Sequence, residues 1–123
     1  RIVIGEDDDQ AQITTSAYRI AQGGMELVQV YRASSAAALV QASAGKMLRI
    51  GADHRAKRTL SDLRGMVGDS QGVLVVMGNE ESGLSGEVRS SCDDLVKIPG
   101  TGEIESLNVA QAATLFLYEL SLL

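Results

Sequence analysis

The sequence predicts an α/β protein built on a mainly parallel sheet with helices on both faces. Short apolar runs alternate along the chain with longer segments of mixed polarity, the order that generates βαβ units. The run "GVLVVMG" at 72–78 is apolar at successive positions, which suits a strand covered on both faces at the centre of a parallel sheet. The chain has 123 residues, 45% of them hydrophobic, enough for one core, and no low-complexity linker divides it. Residues 1–123 are therefore expected to form one domain.

Taken in order, "RIVIG" at 1–5 reads as a short buried strand. The acidic run Glu6 to Asp9 follows and can cap a helix, because carboxylates accept from free N–H groups at the positive helix end. That helix is expected from about Gln10 to Ala21, with Ile13, Ala17, Ile20 and Ala21 on one face, and the pair Gly23-Gly24 stops it. "ELVQVY" at 26–31 is the second strand. "SSAAALVQASA" at 34–44 is a serine-capped helix ended by Gly45. "MLRIGA" at 47–52 is the third strand. It leads into "DHRAKR" at 53–58, the only dense basic cluster. "TLSDLRGM" gives a helical turn or two. After the strand at 72–78, "SGEVRSSC" at 85–92 is a short helix with Ser85 as its cap and Glu87 in its first turn. "DLVKIP" is a strand, and "SLNVAQAATLFLYEL" at 106–120 is a long apolar helix.

Composition narrows the function. Aromatic residues make up 3% of the chain, so platforms for stacking bases are limited to Tyr18, Tyr31, Tyr118 and Phe116. The formal net charge of −5 argues against a nucleic-acid binder with a generally basic surface. It leaves room for a local basic patch, since partners respond to the local field. With one cysteine, Cys92, and one histidine, His54, an internal disulfide is impossible and a Cys/His zinc site is excluded. No metal and no membrane partner are expected. No apolar stretch approaches a membrane span, and no signal peptide is visible. The expected compartment is the cytoplasm, or the mitochondrial matrix for an organellar ribosome factor. Because the chain begins at Arg1 rather than methionine, it reads as a piece of something longer.

The chemistry concentrates in two loops that follow strands, where ligands of parallel sheets bind. Residues 78–85, "GNEESGLS", have the outline of a phosphate loop with Leu84 in place of the lysine. Glu80 and Glu81 would also repel phosphate where backbone N–H groups would cradle it. "GTGEIE" at 100–105 is a poor dinucleotide fingerprint, because the third glycine is missing. A helix-capping turn explains the first loop alone. The second loop, "GEIESLN" at 102–108, places Ser106 and Asn108 at the start of a helix after Ile98-Pro99, and the two loops together form a constellation.

From Val73 to Leu120 that constellation resembles the second and third signature motifs of the SpoU (TrmH-like) branch of the SPOUT RNA methyltransferases. The order of "GNE", "GLS", "CD", "LV", "IP", "ESLNV" and "LYE" carries the likeness. Upstream, "ASAGKM" at 42–47 and "IGAD" at 50–53 resemble weaker landmarks. The resemblance implies a C-terminal trefoil knot, S-adenosylmethionine as cofactor, and methylation of the ribose 2′-hydroxyl of ribosomal or transfer RNA. It also implies a homodimer or pairing with a related chain. By the same likeness, Met77, Gly78, Asn79, Ile98 and Leu107 hold the cofactor, and Gly83 and Pro99 shape its loops. Glu80, Ser106 and Asn108 are the matching catalytic residues. Ribose methylation needs the hydroxyl held in line with the methyl group and its proton removed. Arg55, Lys57 and Arg58 are the cations placed to meet RNA backbone. Glu81 and Ser82 read as solvated turn residues, Cys92 as a packed small residue, and His54 as incidental.

The first motif departs from the family pattern. Its best register, "DQAQITTSA" at 9–17, places Asp9 at the motif asparagine, Ala11 at the glycine and Thr15 at the arginine. Threonine cannot form a guanidinium fork. Arg19, Arg32 or Arg55 could supply a cation from elsewhere. The alternative is a catalytically impaired relative that serves as an RNA-binding ribosome-assembly factor.

Overall fold

The computed structural model describes residues 1–6, 12–69, 72–101 and 107–123. The chain separates into two compact units, Arg1–Leu39 and Val40–Leu123.

In the first unit, β1 (Ile2–Gly5) pairs in parallel with β2 (Val30–Ala33), in the register Ile2↔Val30 to Gly5↔Ala33. The first strand falls where the sequence places it, but Ile2 and Val3 are exposed rather than buried. The first helix, α1 (Thr15–Ile20), begins later than expected. Its cap is Thr14, whose hydroxyl accepts from the Ala17 amide at 3.2 Å. A threonine inside the segment thus captures the free amide, and Gln12 to Thr14 stay outside the helix. Most of the expected acidic cap, residues 7–9, lies outside the described residues. The expected strand at 26–31 is also corrected. Gly23, at φ +85°, reverses the chain and Gly24–Leu27 forms one turn of helix, α2, so the strand starts only at Val30. The β-branched residues of "ELVQVY" favour a strand, but the glycine pair allows a local turn to use the first two positions.

Helix α3 (Ala36–Ala42) links the units in sequence, with the Ser35 hydroxyl accepting from the Ala38 amide at 3.2 Å. Gly45, at φ +71°, follows it as expected for a left-handed stop.

The second unit is a four-stranded parallel sheet in the order β4-β6-β3-β5. The strands are β3 (Met47–Ala52), β4 (Arg58–Thr59), β5 (Gly72–Val76) and β6 (Asp94–Lys97). β3 pairs with β5 from Met47↔Gly72 to Gly51↔Val76, and with β6 from Ile50↔Asp94 to Ala52↔Val96. Parallel pairing brings the carboxyl ends of β3, β5 and β6 to one edge. The apolar run at 72–76 is at the margin of this sheet, not its centre. An apolar run reports covered faces, whereas a central position needs partners on both hydrogen-bonding edges.

Helices α4 (Leu63–Met66), α5 (Gly86–Ser91) and α6 (Val109–Ser121) complete the unit, with a tight turn at Leu60–Asp62 before α4. Ile50, Leu60, Leu63, Val96 and Phe116 form the buried cluster, with Leu48, Met66, Ile98 and Leu120 against it. Strand positions of β3 and β6 thus meet one face of α6, the packing that alternating strands and helices predict. Among the described residues, no helix is long and apolar enough to cross a membrane.

Candidate functional site

Three loops leave the same edge of the sheet. The first, Met77 to Leu84, leaves β5 and closes on itself. The Asn79 amide donates to the Gly83 carbonyl at 3.0 Å, and the Gly83 amide returns to the Asn79 carbonyl at 2.9 Å. The Asn79 side-chain oxygen accepts from the Glu81 and Ser82 amides at 2.8 and 3.3 Å. Gly83 sits at φ +70°, the left-handed region that favours glycine. Gly78 is required for a different reason. A Cβ there would stand 2.4 Å from the Gly83 carbonyl carbon and 2.6 Å from the Leu84 amide nitrogen. Ser85 then caps α5, accepting from the Val88 amide at 3.3 Å.

The second loop leaves β6 through Ile98 to Thr101 and reaches Asn108 at the start of α6. The Asn108 side-chain oxygen caps the helix, accepting from the amides of Ala110 and Gln111 at 2.9 and 3.4 Å. Its amide nitrogen donates to Glu80 Oε1 at 3.3 Å. One side chain therefore starts α6 and ties it to the glycine loop. Ser106, the other polar residue expected in this loop, lies outside the described residues.

The third loop follows β3. Asp53 is buried, with its amide donating to the Val96 carbonyl at 3.1 Å. Its carboxylate accepts from the Arg55 amide at 2.8 Å and from Arg55 Nε and Nη2 at 3.2 and 3.3 Å. Arg89 Nη1, on α5, lies 3.0 Å from Oδ2, the oxygen that Arg55 Nη2 also reaches. Burial pushes the Asp53 carboxyl upward, but the hydrogen bonds from Arg55 and the charges of both guanidiniums outweigh it. The net effect holds the group below its ordinary value.

Together the loops enclose a cleft of about 450 Å³. Its floor includes Val96, Val109, Ala112 and Phe116. All the residues expected around a cofactor line it: Met77, Gly78, Asn79 and Gly83 from the first loop, and Ile98, Pro99 and Leu107 from the second. Glu80 lines it as well, and Asn108 adjoins it through Glu80.

The three expected RNA-binding cations separate. Arg55 lines the cleft. Lys57 is exposed on the same loop. Arg58 belongs to β4 and pairs with Asp94 of β6, so it clasps two strands. His54 and Lys97 also line the cleft. Cys92 donates to the Val88 carbonyl at 3.3 Å, and its thiol is pushed up, chiefly by burial, as suits a packed residue. Thr15 is the first residue of α1, and Arg19 is exposed in its last turn; both belong to the other unit. Asp9 and Ala11 lie outside the described residues. No cluster of three or more metal-ligating side chains occurs among the described residues.

Asp53 and Arg89 were not singled out from the sequence. Asp53 fell only within the landmark "IGAD" and at the head of the basic cluster at 53–58, and Arg89 meets it through the fold rather than through a motif.

A parallel sheet with an apolar-floored cleft at the carboxyl ends of its strands, edged by a few polar groups, defines a binding protein for a small organic ligand. Comparison with known proteins makes this more specific. The model of the SpoU rRNA Methylase family matches residues 1–118. An uncharacterized tRNA/rRNA methyltransferase of Mycobacterium avium is 40% identical over 112 residues, covering 90% of this chain and 35% of that protein. The SpoU methyltransferase AviRb from Streptomyces viridochromogenes, solved in complex with AdoMet, superposes with a TM-score of 0.77 at 28% identity. That match covers 95% of this chain and 47% of AviRb. A protein from Porphyromonas gingivalis assigned to the TrmH family of RNA methyltransferases shares the fold, with a TM-score of 0.80 at 22% identity, over 95% of this chain and 46% of that one.

The chain belongs to the SpoU rRNA Methylase family. It spans about a third of the length of the curated relatives it matches.

Proposed function

We propose that this protein is an S-adenosylmethionine-dependent ribose 2′-O-methyltransferase of ribosomal or transfer RNA, and that the cleft in residues 40–123 binds the cofactor. The observation that carries the reading is the cleft itself, with the two signature loops joined across it by Asn108 and Glu80. The relatives' description as tRNA/rRNA methyltransferases and the AdoMet-bound AviRb neighbour support it.

The residues present fit the cofactor. A volume of about 450 Å³ lies in the range of small-ligand pockets. Gly78 lets the chain pack directly against the Gly83 and Leu84 backbone, which gives the loop lining the cleft its closed shape. The apolar floor of Val109, Ala112 and Phe116 suits the adenosine. Carboxylates at Glu80 and Glu81 are compatible with a cation where they would repel a phosphate. In this reading Met77, Gly78, Asn79, Ile98 and Leu107 hold the cofactor, while Gly83 and Pro99 set the shape of the loops.

Bound there, S-adenosylmethionine supplies a methyl group on a sulfonium centre. The protein's task is to hold the ribose hydroxyl in line with that carbon as the new C–O bond forms and the S–C bond breaks. A base must also accept the hydroxyl proton. Glu80, steadied by Asn108, and Ser106 are the residues assigned to this positioning. The reading includes helices on both faces of the sheet, the C-terminal trefoil knot and a homodimer or pairing with a related chain. Residues 1–123 act as one methyltransferase-like domain in the cytoplasm, or in the mitochondrial matrix.

A second reading, a relative that binds RNA as a ribosome-assembly factor without transferring methyl groups, is favoured by Thr15 at the position of the first-motif arginine. Calorimetric titration with S-adenosylmethionine, followed by methyl transfer to bulk ribosomal and transfer RNA, separates the two. The enzyme binds the cofactor and transfers. Binding without transfer, with transfer gained by Thr15→Arg, supports the assembly factor. No binding overturns the cofactor assignment.

A further inference from the structure

We propose that Arg55, set in place by the buried Asp53 and its second partner Arg89, binds an RNA phosphate at the mouth of the cleft, and that Asp53 is its positioning residue. This rests on the reading of the cleft as a methyltransferase site. It assigns the electrostatic contact with substrate to one of several cations, and it adds two residues, Asp53 and Arg89, to which the motifs assign no role.

The burial and bonding of the three side chains carry the assignment. The Asp53 side chain is 3% exposed, and that of Arg55 is 57% exposed. A buried carboxylate is costly unless it is paired, because charge is removed from water only at a penalty, whereas the exposed guanidinium beside it keeps a solvated face. Here the carboxylate is satisfied by Arg55 Nε and Nη2, by the Arg55 amide and by Arg89 Nη1. Within this cluster two guanidiniums face one carboxylate, so one positive charge is left over at Arg55, beside Lys97 and across the lining from Glu80 and Glu81. Of the five N–H donors of Arg55, Asp53 engages two. The rest of its planar fork suits a phosphate, which accepts paired, charge-assisted hydrogen bonds.

The position matters as much as the charge. Arg55 lines the same cleft as Glu80 and the glycine loop, so an anion on it lies at the edge of the proposed reaction site. Arg58 is held by Asp94 in the β4–β6 pair and does not line the cleft, and Lys57 is exposed but also does not line it. Of the basic cluster at 53–58, only Arg55 is both oriented and at the cleft. Arg89 carries the orientation to α5, which follows the glycine loop directly. A change at Asp53, which lines the cleft beside Arg55, would therefore loosen Arg55.

The test uses the full chain with Arg55→Gln, Arg55→Lys and Asp53→Asn. Affinity for bulk transfer RNA and ribosomal RNA is measured over a range of salt, and S-adenosylmethionine affinity is measured by calorimetry. One phosphate contact contributes about 0.7–0.9 to the slope of log K against log salt. Arg55→Gln is expected to lower that slope by about this amount and to slow methyl transfer, with cofactor affinity unchanged. Arg55→Lys retains the slope but loses part of the transfer rate, because the charge remains and the fork does not. Asp53→Asn is expected to reduce transfer as Arg55→Lys does, at native cofactor affinity. Native slope and transfer in Arg55→Gln overturn the proposal, as does loss of cofactor affinity with RNA affinity intact. If Asp53→Asn does not fold, the Arg55 variants still decide the phosphate contact. Asp53 is then judged by Asp53→Glu, which keeps the charge but moves it, and which should mimic Arg55→Lys. A native chain that neither binds the cofactor nor transfers methyl groups overturns the methyltransferase reading itself, whatever the variants do.

Discussion

At Gly78 a single methyl group decides whether the loop after β5 can close. An alanine Cβ would meet backbone atoms of Gly83 and Leu84 at 2.4 and 2.6 Å, and backbone cannot move aside as a flexible side chain can. Gly78→Ala should lower stability by about 1–3 kcal/mol and abolish cofactor binding, read by thermal melting and calorimetry. Gly86→Ala is the matched control. It lies in α5 with nothing within 4 Å of a built Cβ, and should leave binding unchanged and melting equal or higher. Equal effects at the two glycines would refute the steric argument. Carboxylates set the acid limit of stability. Asp93 is held below the usual carboxylate range by the Arg49 side chain, which donates at 3.0 Å, and by the Arg49 amide at 2.8 Å. Asp53 is lowered too, with burial opposing and its arginine partners prevailing. A depressed folded-state value means stability that is fully present above the unfolded value, about 4, and lost as pH falls through the folded value. The melting temperature should therefore hold near neutrality and drop in acid. Asp93→Asn should lower the neutral plateau and flatten the acid limb; an unchanged acid limb would discount this pair.

At the scale of the element, α6 joins stability to function through its first residue pair. Asn108 caps the helix with its oxygen and holds Glu80 with its nitrogen. The two roles separate by substitution. Asn108→Ala should cost about 1 kcal/mol as a lost cap and also reduce methyl transfer. Asn108→Asp keeps an acceptor for the cap and suits the helix dipole, but it sets a second carboxylate against Glu80. It should melt near the native temperature while transferring poorly. Full transfer by Asn108→Asp would remove Glu80 from the site. The caps themselves were legible in the sequence: Ser35, Ser85 and Gly45 act where their residue types predict. Two strand readings failed for identifiable reasons. Gly23 and Gly24 allowed a turn to consume the start of "ELVQVY". The apolar run at 72–76 fixed which faces of β5 are covered but not which edges are paired.

Across the molecule, the site was legible where its parts lie close along the chain and hidden where the fold alone unites them. The two loops are separated by one short helix and one strand, so their glycines, Glu80 and Asn108 could be read together. Asp53 and Arg55 are neighbours in the chain, and Arg89 joins them only through the fold. The same limit applies to association, which depends on surface rather than motif. α6 buries Phe116 on one side, while Leu115, Tyr118 and Leu122 recur at helical spacing on the other. Tyr118 is 60% exposed and neighbouring Leu117 64%, and contiguous apolar surface of this kind marks interaction sites. The proposed homodimer would cover it. Light scattering should then give twice the 13.0 kDa chain mass at micromolar concentration. Tyr118→Asp, placing an unpaired charge in the seam, should return the monomer without disturbing Phe116 or the core beneath. A native monomer would reject pairing through this face. A dimer indifferent to Tyr118→Asp would move the seam elsewhere and leave the apolar stripe on α6 without its proposed purpose.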